Sequence, residues 1–222
     1  AGNATNCVGT VASGVEVLLV DGTVQSVSTG TCARAVAGAN GTLYQLDANG
    51  TVAKVNLADG TLTPIVTSVD GITGSTLASD GANLYASATL SASGDSIAKI
   101  PLGGGAVNRD FLAIGAPATN AAVSGGRLWV RMGVSGLGSA ALSGPPFASV
   151  NFVHFSSGTL GLEADGHGGV FFAETDTLYD VDTAGNAALV ISGSPLALLN
   201  MATEPASGNV LVVGNGLGAL LP

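Results

Sequence analysis

The chain has 222 residues, fifteen of them acidic, six basic and two histidine, for a formal net charge of −9. Only 9% of the residues are charged, so the basic footprint that displaces phosphate counterions is missing and nucleic acid is excluded as a partner. The longest uncharged run, 132 to 162, is broken by Gly, Ser, Pro, Asn and His, which excludes an apolar helix long enough to span a membrane.

The first element in chain order is a hairpin over residues 14 to 28, where Val15, Leu18 and Val20 lead into an Asp21-Gly22 turn. Cys7 and Cys32 flank it, and neither lies in a Cys-x-x-Cys or Cys-His cluster, so the expectation is a disulfide and not a metal or redox site. Such a bond closes a loop of about 26 residues and contributes on the order of 3 kcal/mol in the chain-entropy model. Two buried thiols are the alternative. A disulfide implies an oxidising compartment. With a start at Ala1, that suits a processed protein that is secreted, at the cell surface or in the periplasm. Sequons at Asn3, Asn40 and Asn49 matter only where such sites are glycosylated.

Beyond the hairpin the chain repeats itself. An apolar pair ending in an aromatic recurs as Leu43-Tyr44, Leu84-Tyr85, Leu128-Trp129 and Val170-Phe171, and a fifth copy, Val210-Leu211, lacks the ring. The period is about 41 residues, which marks a repeat architecture whose units stack to bury their apolar faces. Ala37, Ala78, Ala122 and Ala164 each stand six residues before a pair. A second marker follows downstream: Val52, Val55, Leu57; then Ile97, Ile100, Leu102; then Leu137, Ala140, Leu142; then Leu178, Val181. Gly, Asn, Asp and Ser turns separate these runs, and four short strands fit each period. Helical repeats are excluded by 34 glycines and eight prolines spread through the units. The rungs of a parallel β-helix are about half this length or less.

The predicted fold is therefore all-β: a single β-propeller domain over 1–222, with about five four-stranded blades closed by the N-terminal hairpin. The units fall near 32–71, 72–115, 116–157, 158–195 and 196–222, plus 14–28. The second marker has a sixth copy at Leu217 and Leu220, so six blades, one of them partial, is the alternative.

Asn83-Leu84-Tyr85, then Ser96-Ile97-Ala98-Lys99-Ile100 and the Gly103-Gly104-Gly105 turn, resemble an NHL-type propeller blade. Gly41-Thr42-Leu43-Tyr44 with Thr51-Val52-Ala53-Lys54-Val55 looks like the same unit. The resemblance covers nearly the whole chain and implies the fold. It brings no activity, because most copies lack the usual aspartate after the aromatic strand.

Catalytic signatures are sparse. No serine sits in a Gly-x-Ser-x-Gly elbow, and His154 and His167 are too few for an imidazole metal cluster. Asp180-Val-Asp182-Thr-Ala-Gly185 is similar to the start of a calcium loop but lacks its third carboxylate and closing glutamate. It reads as a hairpin turn. Six acids, Glu163, Asp165, Glu174, Asp176, Asp180 and Asp182, gather within twenty residues around His167. Glu163, Asp165, His167 and Glu174 are the candidate ligand-binding residues, with calcium or a basic group as ligand and a solvated set of turns as the alternative.

Three functions are carried forward. The first is a non-enzymatic extracellular interaction or structural protein that engages other subunits or itself. The second is a lectin-like glycan binder using one aromatic per blade. The third is a propeller hydrolase or lyase built on the acidic fourth unit.

Overall fold

The computed structural model describes residues 14–18, 24–31, 33–67, 72–90, 94–132, 136–150, 161–174, 177–192, 198–203, 210–214 and 219–221. Every regular element among them is a β-strand, and no helix among them is long and apolar enough to cross a membrane. Cys7, Cys32, His154 and Asp176 lie outside the described residues.

The chain divides into two units, residues 1–115 and 116–222. In the first, β1 (Gly14–Leu18) and β2 (Val24–Ser28) form a two-stranded hairpin. The strands β3 (Ala33–Ala39), β4 (Thr42–Asp47), β5 (Val52–Val55) and β6 (Leu62–Val66) make an antiparallel sheet in chain order. So do β7 (Ile72–Ser79), β8 (Asn83–Leu90), β9 (Gly94–Pro101) and β10 (Asn108–Ala113). In the second unit, β11 (Asn120–Ser124), β12 (Arg127–Met132), β13 (Gly136–Ala141) and β14 (Gly144–Val150) form one such sheet. Another consists of β15 (Gly161–Ala164), β16 (Val170–Glu174), β17 (Thr177–Val181) and β18 (Ala187–Ile191). A three-stranded sheet follows: β19 (Leu198–Thr203), β20 (Val210–Gly214) and β21 (Ala219–Leu221).

The repeat markers fall on equivalent strands because each sequence period folds into one meander. Aromatic pairs lie on second strands and the downstream apolar markers on or just beyond third strands. Alternation then lets a strand turn apolar residues to both faces of its sheet. In the first unit Leu46, Val52 and Val66 pack against Ile72, Leu77, Leu84 and Ile100, with Tyr44 at the margin. In the second, Trp129 and Leu137 pack against Leu162, Val170, Phe172 and Val181. Trp129 is 0% exposed. A fully buried indole of this kind removes on the order of 150–250 Å² from water.

The N-terminal hairpin covers the other face of the first sheet. Val27 packs on Val55, flanked by Leu43, Leu57 and Leu62, and the Gln25 side-chain amide donates to the Leu57 carbonyl at 2.8 Å. Among the described residues β1 pairs with β2 alone.

Candidate functional site

One position in the blade decides where the acids go. In the first sheet Ala37 pairs with Tyr44, which pairs with Lys54. The second sheet repeats the row as Ala78, Tyr85 and Lys99, and the third as Ala122, Trp129 and Ser139. Residues paired across adjacent strands project to the same face, so each row sets a small residue, a ring and a polar residue side by side. In the fourth sheet the row reads Glu163, Phe171 and Asp180.

Turn parity causes the change from alanine to Glu163, while Asp180 holds its place on the third strand by sequence alone. Between their last paired positions, the first three sheets leave two residues (Asn40, Gly41), four (Asp80 to Asn83) and two (Gly125, Gly126). The fourth leaves five, Asp165 to Gly169. An odd count moves the partner by one, and a one-residue slip exchanges the faces of a strand. Ala164 therefore pairs with Val170, and Glu163 takes the place opposite the ring. The longer turn also meets its neighbour closely: Gly125 has φ +57°, and a Cβ there would lie 2.4 Å from the Gly168 carbonyl oxygen.

Burial pushes the carboxyl of Glu163, itself half-buried, up to about 7. Asp180 is also raised, first by burial and then by the charge of Asp165. His167 opposes that rise and Asp182 adds to it. The Asp180 Oδ1 is buried without a hydrogen-bond partner among the described residues. Asp165 is buried, and its Oδ1 accepts the His167 backbone N–H at 2.7 Å, which ties the turn to the end of β15. His167 itself is exposed.

The Asp180–Gly185 segment is a hairpin turn. Asp182 Oδ1 accepts the Ala184 and Asn186 N–H groups at 2.9 and 2.8 Å, and Oδ2 accepts the Asn186 amide at 2.8 Å. These bonds hold its carboxyl below the usual range, led by the one from the Asn186 side chain. Among the described residues no group of three or more His, Cys, Asp or Glu is placed to hold a metal ion.

Glu174 does not join this group. It lies at the far end of β16, about 13 Å along the strand from the Asp165 turn at roughly 3.3 Å per residue. Alternation puts it on the face of Phe172, which meets the face of Trp129 and Arg131. Glu174 and Arg131 are both buried. Burial lowers the guanidinium while the Glu174 charge opposes that shift. The four candidate residues thus split into Glu163, Asp165 and His167 near one turn and Glu174 beside Arg131 at the opposite end. Sequence reasoning passed over Arg131, although its spacing of two from Trp129 was the available signal.

The sequence matches no family model and no curated protein. Solved structures do match. A gluconolactonase from Xanthomonas campestris superposes with a TM-score of 0.71 at 15% identity, over 91% of this chain and 76% of that one. A streptogramin B lyase gives 0.65 at 15% identity over 91% and 70%. The extracellular domain assigned to a hybrid two-component system of B. thetaiotaomicron gives 0.67 at 12% identity, over 97% of this chain and 32% of that one. The fold is that of the β-propellers.

These likenesses correct the leading functional expectation. The similar propellers include enzymes, a gluconolactonase and a lyase, so a sparsely charged propeller of this kind does not by itself indicate a non-enzymatic scaffold. The lectin alternative loses its support as well. Tyr85 and Trp129 are fully buried and Tyr44 packs against the neighbouring sheet, so these three rings serve the core, and Phe171 alone, half-buried, does not make one site per blade.

Proposed function

We propose that this chain is a propeller hydrolase or lyase in which Glu163 transfers the proton. The observation that carries the reading is the fourth-sheet row, where a half-buried glutamate stands opposite a ring at the place that holds alanine in three other sheets. A carboxyl poised near neutrality serves both as donor and as acceptor. Protonated, Glu163 would donate its proton to the leaving oxygen of a cyclic ester as the acyl C–O bond breaks. Ionised, it would take a proton from water in hydrolysis or from carbon in elimination. Asp180 lies in the same row two strands away, about 10 Å between Cα atoms, and would keep the site negative. The chain in this reading supplies about five blades closed by the 14–28 hairpin, and the likeness to an extracellular domain supports a location outside the cytoplasm.

The test is turnover of a panel of sugar lactones and of streptogramin B by the parent and by Glu163→Gln, with and without calcium. Loss of about 10²–10⁴-fold in kcat is expected for the variant. The parent's kcat/KM should show an ionisation near 7 that the variant lacks. No turnover of either substrate class by the parent, or full activity in Glu163→Gln, would overturn the reading.

A further inference from the structure

Among the described residues each four-stranded sheet ends on an outer strand with no further strand paired to its edge, and such an edge offers backbone N–H and C=O groups for pairing. Three of these strands are blunted by sequence. β6 carries Pro64, β10 carries Arg109 and Asp110, and β14 carries Pro145 and Pro146. Proline removes a donor from the edge, and charge resists desolvation. The fourth outer strand, β18, reads Ala187-Ala188-Leu189-Val190-Ile191 and has neither.

Exposure points the same way: among the described residues β18 carries two exposed large apolar side chains, where β6 carries one, Ile65, beside Pro64. Leu189 is 59% and Val190 45% exposed, and they project to opposite faces. A bulge interrupts the pairing of each outer strand with its inner neighbour, so that irregularity does not distinguish β18. An exposed apolar edge without a blocker invites another strand.

We propose that β18 is a self-pairing edge through which two copies of this chain join antiparallel, Leu189 opposite Leu189 and Ala187 opposite Ile191. The groups that need partners are backbone N–H and C=O groups, so the occupant is an extended strand. A second β18 meets every side chain with an apolar one and brings no charge. The net charge of −9 on each copy opposes the encounter, so association should tighten as added salt screens it. Five residues per strand bury well under the roughly 1,200 Å² of a stable interface, so the dimer is weak and concentration-dependent.

Sedimentation velocity of the full chain from about 5 to 500 µM tests this in the affinity range of such small contacts. The weight-average mass of the parent is expected to rise toward twice the monomer value. Leu189→Lys and Val190→Pro, both at exposed positions, should stay monomeric at the highest concentration while keeping the parent's far-UV circular dichroism and Tm. Backbone amides of 187–191 should exchange more slowly in the concentrated parent. A parent that stays monomeric throughout, a Leu189→Lys variant that associates like the parent, or protection confined to other strands would each overturn the proposal.

Discussion

The second and fourth sheets place the same blade position in opposite service. In the second, Tyr85 is fully buried and donates its O–H to Asp80 at 2.7 Å, and Lys99 lies 5.0 Å from the Phe111 ring centroid and 5.7 Å from that of Tyr85. The charges are matched, and the row is a packing device. In the fourth, the alanine and lysine places are taken by Glu163 and Asp180, and both carboxyls are raised, first by burial. Here the row sets two acidic groups on one face of the sheet. An odd turn of five residues brings Glu163 opposite the ring, and a change of residue on the third strand sets Asp180 where the second sheet has Lys99.

The largest effect expected is at the ring position of the third sheet, whose Trp129 packs on the fourth. Trp129→Ala leaves a cavity between the third and fourth sheets and should cost about 3–5 kcal/mol in urea unfolding. Tyr44, half-buried in its row, should cost less on truncation.

Next in size is Glu163. Its folded carboxyl is raised from the ordinary glutamate value of 4.5 to about 7. An acid raised in this way stabilises the fold fully below its unfolded pKa, and that stability is lost as pH rises through the folded value. Parent stability should therefore fall by about 3 kcal/mol between pH 4.5 and 7 and level off above. Glu163→Gln should flatten that slope in a series of denaturant melts. An unchanged slope would show that the fourth row is as inert as the second.

How much of this was legible follows from the physics of pairing. The 41-residue period, the aromatic pairs and the turn residues could be read directly, because alternation and turn chemistry are local. The all-β meanders lie where those markers put them. The slip at Glu163 could not be read, since Ala164 keeps its six-residue distance from Val170 and only pairing shows which residue faces Phe171. The twenty-residue acidic cluster misled for a related reason. Antiparallel strands return every few residues, so Glu174 and Asp165 are close in sequence yet at opposite ends of β16. The Cys7 and Cys32 pair lies outside the described residues.

A smaller effect is expected in the second sheet. Tyr85→Phe deletes a hydrogen bond to a carboxylate and should cost roughly 1.5–3 kcal/mol. Burial alone would raise Asp80, but bonds from Asn83 and Tyr85 outweigh it and leave the carboxyl lowered. Its contribution is thus present above the unfolded pKa and lost as pH falls through the folded one. The variant should lose less stability than the parent on acidification. The smallest change is Asp182→Ala in the exposed β17–β18 turn, expected to lower Tm by roughly a degree or two and to leave the Glu163 midpoint where it is.

The most direct test is the titration of the Glu163 side-chain carboxyl carbon by NMR, assigned through its absence in Glu163→Gln. A midpoint near 7 is expected from its burial in the fourth-sheet row. A midpoint at or below about 4.5, the ordinary range for a solvated glutamate, would contradict the claim that this row poises a carboxyl for proton transfer.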